Sequence, residues 1–214
     1  MREVKLTKES LAVKHLCDRD KRLSKLIDMV GDISYSVHED GYEFLIGEII
    51  EQMLSTKVER ILYGRLENLC KGNVSIETIN ALSDDDIKSI GTSRRKIATI
   101  RSITKAIETG DIDLNELPSC SDQEVMKRLT SIYGIGDWTA KMYLIFVLDR
   151  GNILPYEDVA FLQSFEWLYK VSRPSVDEVK KKCKKWTPYA SVAARYMYRA
   201  LDMGFTKEEF HLYK

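Results

Sequence analysis

Apolar residues recur along most of this chain at intervals of three and four positions, and this spacing constrains the fold more than any other feature. Such a period places one apolar stripe along an α-helix. Proline, which interrupts helices, occurs four times in 214 residues. The sequence therefore predicts an all-α fold built from many short amphipathic helices, and its 44% hydrophobic content is sufficient for a core.

Serine and glycine residues indicate where individual helices begin and end. Ser75, Ser83 and Ser93 each precede an apolar-periodic segment, as is typical of N-cap residues. Gly31 and Gly110 each follow such a segment, where a glycine can take the left-handed conformation of a helix C-cap. The helices between these signals are short and sharply bounded, which predicts a compact multi-helix arrangement.

The charge of the chain is balanced, with 33 Lys+Arg against 33 Asp+Glu and a pI near 6.8. Net charge therefore gives no indication of a nucleic-acid partner, and any basic surface must be local. Five lysines do cluster in "KKKCKK", from Lys180 to Lys185. They fit a solvated helix face or a phosphate-binding surface, and the solvated face is the favoured interpretation.

The four cysteines lie far apart and form no C-x-x-C pair, so their spacing supports neither a zinc site nor an iron–sulfur cluster. We expect reduced thiols. No apolar segment follows the charged N-terminus, and no apolar run approaches the length of a membrane span. The expectation is an intracellular, cytoplasmic protein with no membrane partner, associated with the nucleoid if it is prokaryotic.

A glycine-containing turn joins two helical segments in "LTSIYGIGDWTAKMYLIF". Gly134 and Gly136 flank Ile135, and both glycines are expected to take positive φ and to expose backbone N–H groups. Free amides at the start of the following helix can hold a phosphate without a basic side chain. The turn could thus bind DNA despite zero net charge, although an ordinary helix–helix turn also fits this motif alone.

Three motifs in fixed order extend this signal: the Gly-Ile-Gly turn, the Trp-Thr-Ala that follows it, and Pro155-x-x-Asp158 about twenty residues later. Together they resemble the helix-hairpin-helix DNA glycosylases, in particular the alkyl-base branch called DNA-3-methyladenine glycosidase. The resemblance covers residues 42–201 through three further segments: "FLIGEIIEQMLSTKVERILYGRL", "LSDDDIKSIGTSRRKIATIRSI" and "WTPYASVAARYMYRAL".

The resemblance implies two helical lobes with a cleft between them. One lobe, residues 42–154, would hold the helix-hairpin-helix motif, and residues 1–41 and 155–214 would form the second and carry the catalytic aspartate. The family needs no organic cofactor, although its hairpin often binds a monovalent cation through backbone carbonyls. The implied partner is double-stranded DNA with a damaged base, and the implied assembly state is a monomer.

By the same resemblance, Asp158 is the catalytic carboxylate. Such an enzyme extrudes the damaged nucleotide from the duplex, and a carboxylate then stabilises the oxocarbenium-like sugar and orients or deprotonates water. Trp138 and Tyr198 would contact the base, with core packing as the alternative for each ring taken separately, and Glu157 would be a supporting charge. Strand-cutting relatives carry lysine where Trp138 stands, so a base-releasing enzyme without lyase chemistry is implied. Without the resemblance, an ordinary acidic helix opening is the favoured interpretation of Glu157 and Asp158.

Two groups of residues would contact the DNA. Those of the hairpin are Gly134, Ile135, Gly136 and Thr139. The second group matches the family segment that enters the gap left by the extruded base, and its members are Gln52, Met53, Leu54 and Ser55. An apolar wedge there would kink the duplex, whereas burial in a helix is the alternative for Met53 and Leu54.

The chain departs from the family pattern at three positions. By the resemblance, Glu51 stands where relatives usually have glycine, Ala190 stands where they have arginine, and Ser164 stands where some members have another arginine. Three lysines could replace lost cations, although simple solvent exposure is the favoured interpretation of each: Lys57, Lys96 and Lys141.

The sequence thus predicts a monofunctional DNA glycosylase of base-excision repair. It would release alkylated purines of the 3-methyladenine and 7-methylguanine type by hydrolysing the N-glycosidic bond, leaving an abasic site. Two alternatives stay open: a non-catalytic module that binds damaged or bent DNA, and a glycosylase for deaminated bases such as hypoxanthine.

Overall fold

The computed structural model describes residues 2–54 and 56–213. These ranges form a mostly helical protein, which confirms the predicted fold class. The α-helices are α1 (Leu11–Arg19), α2 (Lys21–Val30), α3 (Gly41–Glu51), α4 (Thr56–Leu69), α5 (Ile76–Ala81), α6 (Asp84–Ser89), α7 (Arg94–Glu108), α8 (Asp122–Thr130), α9 (Asp137–Phe146), α10 (Val159–Tyr169), α11 (Val176–Cys183) and α12 (Ala190–Asp202). Short 3-10 helices lie after α7 at Leu117–Ser119, after α11 at Lys184–Trp186 and after α12 at Phe205–Lys207.

A two-stranded antiparallel sheet was not predicted from the sequence. It pairs β1 (Arg2–Leu6) with β2 (Ile33–Val37), with Val4 opposite Tyr35 in register. Each strand has five residues, too few for an alternating pattern to stand out in a helical chain. Burial of one face against the helices of the same unit stabilises the pair.

The predicted caps are confirmed. Ser75 and Ser83 each form a capping box, in which the serine and the third helical residue bond each other's backbone N–H. The Ser93 side chain accepts a bond from the Lys96 N–H. Gly31 and Gly110 follow their helices with positive φ of 78° and 76°, which glycine adopts readily, although the ψ of −158° at Gly31 lies outside the left-handed helical region.

The chain folds into two compact units. The terminal unit contains the residues up to Val37 and those from Asp149 onward, and the central unit is His38–Leu148. The lobe limits expected from the resemblance differ from these limits by a few residues. No helix within residues 2–54 and 56–213 combines the length and the apolar character required to cross a membrane.

A buried carboxylate organises the core of the terminal unit. Asp20 is 2% exposed and caps the start of α2. Its Oδ2 accepts bonds from the Tyr169 hydroxyl, from Trp186 Nε1 at 3.0 Å and from Lys185 Nζ at 2.9 Å. Burial alone would raise the pKa of Asp20, but these donors outweigh it and lower the pKa. The network fixes the chain just after α11.

The central unit is built around α3, which is buried on most of its surface. Leu45, Ile46, Ile49 and Ile50 are fully buried, and α3 packs against α4, α7 and α9. An almost uniformly apolar helix of this kind is expected in a core and not at a surface. Both ends of α3 and the start of α9 are therefore held in fixed positions within this unit.

Candidate functional site

The turn between α8 and α9 requires a glycine at position 134 for two reasons. Gly134 has φ of +88°, a conformation that residues with a Cβ rarely adopt. A Cβ built there would also overlap the Thr99 side chain of α7, with Thr99 Cγ2 only 2.6 Å away. The side chain of Ile135, 5% exposed, anchors the same turn in the core of the central unit.

Gly136 behaves differently from the expectation, which was wrong for this residue. Its φ of −102° and ψ of 177° are extended, and a Cβ there would meet nothing within 4 Å. The reason is its position as the N-cap of α9, where the backbone is extended in any helix. Because glycine has no side chain, none caps the first amides of α9. The positive end of the helix dipole lies at this turn.

The first turn of α9 carries Trp138 and Thr139. Trp138 is half-buried, whereas Thr139 is 1% exposed. Thr139 Oγ1 accepts a bond from Gln52 Nε2 at 3.0 Å. This bond joins the hairpin to the segment after α3, so two of the predicted DNA-contacting segments lie side by side within the central unit.

Met53 projects from this segment into solvent. It is 100% exposed and has φ of +62°, a left-handed conformation that is uncommon for a residue with a side chain. The alternative of a buried helical position is therefore wrong for Met53. Leu54 is half-buried, and its N–H donates to the Glu51 carbonyl at 3.1 Å. Ser55, a predicted DNA contact, lies outside the described residues.

Lys96 holds the segment in place, a role that no sequence signal indicated. Its Nζ donates to the carbonyl oxygens of Ile50 at 2.8 Å and Gln52 at 2.7 Å, which are at the end of α3. Burial lowers the pKa of Lys96. The favoured prediction of simple solvent exposure is therefore wrong for Lys96. It is also wrong for Lys141, which is 8% exposed, whereas Lys57 is exposed as expected.

We predict that Lys96→Met lowers the free energy of unfolding by about 1–3 kcal/mol, because two carbonyls lose a charged donor. It should also weaken binding to abasic-site DNA, since the Met53 segment loses its support. Lys105→Met, at an exposed position of the same helix, is the matched control. Urea unfolding and fluorescence anisotropy measure the two effects, and equal changes in both variants would exclude the supporting role.

Glu51 lies at the end of α3, next to the exposed segment. Its pKa is raised, chiefly by burial and further by the charge of Glu59 on α4. The structure thus places a half-buried carboxyl group beside the exposed segment, at the position where the resemblance implies glycine.

Asp158 is the N-cap residue of α10. Its Oδ1 accepts a bond from the Phe161 N–H at 2.7 Å, and the residue is 8% exposed. Its own N–H donates to the Pro155 carbonyl at 3.0 Å, which closes the turn that leads into the helix. Glu157 is half-buried beside it. The carboxylate is consequently held in one orientation by its own helix.

Ser191 supports the loop before Asp158, and the sequence analysis did not identify this role. Its Oγ accepts a bond from the Ile153 N–H at 2.9 Å, and its N–H donates to the Gly151 carbonyl at 3.0 Å. The serine of the "WTPYAS" motif was the available signal. Ala190, the residue before it, is 4% exposed at the first position of α12.

Tyr198 lies on α12 and is half-buried against the core of the terminal unit. α12 packs on α10, and Ser164 Oγ donates to the Met197 carbonyl at 2.9 Å between them. Ser164 is fully buried. Ser164 thus connects α10 and α12.

The predicted site residues fall into two sets, one in each unit. The central unit holds Gln52, Met53, Leu54, Gly134, Ile135, Gly136, Trp138 and Thr139, and the terminal unit holds Glu157, Asp158 and Tyr198. Across residues 2–54 and 56–213, no three His, Cys, Asp or Glu side chains are grouped so that they could hold a metal ion.

Comparison with known families gives the class. Residues 46–189 match the family model described as "HhH-GPD superfamily base excision DNA repair protein". The match covers more than half of the chain. This chain belongs to the HhH-GPD superfamily of base-excision DNA repair proteins.

Relatives and solved structures agree on the alkyl-base branch of this superfamily. The chain is 30% identical to DNA-3-methyladenine glycosylase 1 of Schizosaccharomyces pombe over 208 residues, 94% of this chain and 91% of that protein. It matches the crystal structure of DNA-3-methyladenine glycosidase from Bacillus halodurans with a TM-score of 0.84 and 32% identity, covering 99% of this chain and 97% of that one.

A second structural match includes DNA. The 3-methyladenine DNA glycosylase Mag1 of Schizosaccharomyces pombe, in complex with abasic DNA, superposes with a TM-score of 0.84 at 28% identity, covering 90% of this chain and 97% of that one. These similarities confirm the family and the alkyl-base branch that the sequence motifs predicted.

Proposed function

We propose that this protein is a monofunctional DNA glycosylase that releases alkylated purines of the 3-methyladenine and 7-methylguanine type from double-stranded DNA. The observation that carries the proposal is Asp158, a carboxylate held at a helix N-cap in a chain of the alkyl-base branch. The names of the similar proteins support the same substrate class.

The chemistry needs one well-placed carboxylate. The C1′–N bond breaks and its electron pair leaves with the base, which becomes neutral if alkylation had made it cationic. The sugar acquires oxocarbenium character, and Asp158 stabilises this charge. Water then adds at C1′ and gives its proton to the carboxylate or to solvent, which leaves an abasic site.

Trp138 accounts for the absence of a strand-cutting step. Strand cleavage through an imine needs an amine at the sugar, and an indole cannot supply one. The electron-rich rings of Trp138 and Tyr198 instead favour a cationic base by stacking, worth roughly 0.5–2 kcal/mol for each ring. Glu157 would add a supporting negative charge.

DNA would be held by backbone and wedge contacts. The N-terminus of α9, which begins after Gly136 without a side-chain cap from that residue, suits a phosphate, and Met53 is exposed as an apolar wedge must be. The enzyme would act as a monomer without an organic cofactor. A monovalent cation bound by backbone carbonyls of the hairpin is part of the proposal.

The test is release of free base from a duplex containing N-methylated purines, run beside a duplex with hypoxanthine and an undamaged duplex. We expect methylated bases from the first duplex only, with strand breaks appearing only after alkali. Release of hypoxanthine alone would identify a deaminated-base glycosylase. Tight binding to abasic DNA without release of any base would favour the non-catalytic module.

A further inference from the structure

A pocket lined by lysines lies in the terminal unit, and the residues proposed above for catalysis do not include it. This lysine pocket, about 480 Å³ in volume, opens between α11 and the loop that follows Gly151. Lys180, Lys181 and Lys184 line one side, and Asn152 and Leu154 line the other. Of the described residues that line it, none is acidic.

The positive charge of the pocket is not neutralised within the described protein. Lys181 and Lys184 form no ion pair among residues 2–54 and 56–213, and Lys180 contacts a ring instead of an acid. The acidic residues of α11 are Asp177 and Glu178 in its first turn, respectively four and three positions before Lys181, and Glu178 completes the capping box with Ser175. Five lysines between positions 180 and 185 outnumber these two carboxylates, so the end of α11 has a local excess of positive charge in a chain of zero net charge.

The arrangement of the lysines is unfavourable for the helix alone. Lys180 and Lys184 are four positions apart, and Lys181 and Lys184 are three apart, so like charges face each other across one turn. Part of this cost is offset because Asp177 is four positions before Lys181 and because cations are favoured at a helix C-terminus. An anion in the pocket would remove the remaining repulsion.

The pocket is continuous with the segment that carries Asp158. Lys180 Nζ lies 4.2 Å from the centroid of the Tyr156 ring, two residues before the aspartate. Asn152 and Leu154 belong to the loop that Ser191 holds through Ile153. Lys185, next to Lys184, is fixed by its bond to Asp20. The lysines are therefore on an anchored surface beside the catalytic loop.

We propose that the lysine pocket binds the phosphate backbone of the DNA, adding a contact surface on the terminal unit. This inference rests on the proposed function for the identity of the polyanion. DNA fits better than an acidic protein segment because the pocket adjoins the loop that must approach the damaged nucleotide. Lys181 and Lys184 are exposed, as the favoured interpretation of "KKKCKK" as a solvated face expected, and the inference adds a phosphate-binding role for them.

The test is the salt dependence of binding to a duplex with a stable abasic-site analogue, measured by fluorescence anisotropy. Each neutralised phosphate contributes about 0.9 to the slope of log K against log salt. Lys181→Gln/Lys184→Gln should lower the slope by about 1.8, and Lys181→Arg/Lys184→Arg should restore it. The control is Lys5→Gln/Lys207→Gln, which makes the same change of charge. Lys5 and Lys207 are exposed in the same unit but lie outside the pocket.

Three outcomes decide the inference. A slope reduced only in the pocket variant supports it, whereas equal slopes in the pocket variant and the wild type overturn it and leave an acidic protein as the alternative partner. If the wild type binds the duplex but releases no base, the proposed catalytic function fails while the slopes still decide the role of the lysines. If the wild type binds no DNA, both proposals are wrong.

Discussion

Asp158→Asn should lower the rate of base release by about 10²–10³ or more, the effect typical of removing one group that stabilises charge in a transition state. The fold should stay intact, because asparagine caps helices as well as aspartate does and can still accept the bond from the Phe161 N–H. The substitution therefore removes the negative charge at the reacting sugar and leaves the start of α10 in place.

Single-turnover release of methylated base measures this effect, with thermal unfolding and abasic-site binding measured in parallel. Asp40→Asn is the matched control, since Asp40 also caps a helix, accepting a bond from the Glu43 N–H at 2.8 Å, but lies in the exposed start of α3. It should release base at the rate of the wild type. Unchanged release by Asp158→Asn would rule out its catalytic role.

Gly134→Ala should destabilise the protein by roughly 2–5 kcal/mol. A left-handed conformation costs a residue with a Cβ about 1–2 kcal/mol, and overpacking against Thr99 adds about 1–3 kcal/mol. The turn can relieve the overlap only by moving away from α7, which displaces the N-terminus of α9. Affinity for abasic DNA should consequently fall as well.

Gly136→Ala is the control for this prediction. Its backbone is extended and the space for a Cβ is open, so the cost should be about 1 kcal/mol or less, from the change at an N-cap. Urea unfolding of the two variants, with binding to abasic DNA in buffers where each is folded, gives the comparison. Equal losses of stability would show that the contact with Thr99 does not restrict position 134.

Local signals in the sequence predicted most of the helices. Ser75, Ser83 and Ser93 cap helices where the pattern placed them, because a cap depends on a serine and the backbone next to it. Because these signals are local, the sequence analysis missed the strands and was wrong about the backbone of Gly136. The strands β1 and β2 depend on pairing between distant segments, and the extended backbone of Gly136 depends on where α9 begins.

The catalytic candidate was accessible from the sequence only through resemblance. An acid after Pro155 has the pattern of any helix opening, and the structure adds that Asp158 is buried and oriented by Phe161. Met53 was ambiguous between core and wedge, since an apolar residue has the same hydrophobicity in either place. Its left-handed backbone and full exposure follow from the end of α3.

By itself, the sequence determined the helical class, the caps, the hairpin motif and the family, because each depends on residues close together in the chain. Tertiary structure alone decided which distant groups meet. Lys96 reaches the carbonyls at the end of α3, Gln52 reaches Thr139, and Thr99 occupies the space that a Cβ at position 134 would need. Contacts of this kind arise from packing between helices, and their partners are separated by tens of residues, so no local pattern encodes them.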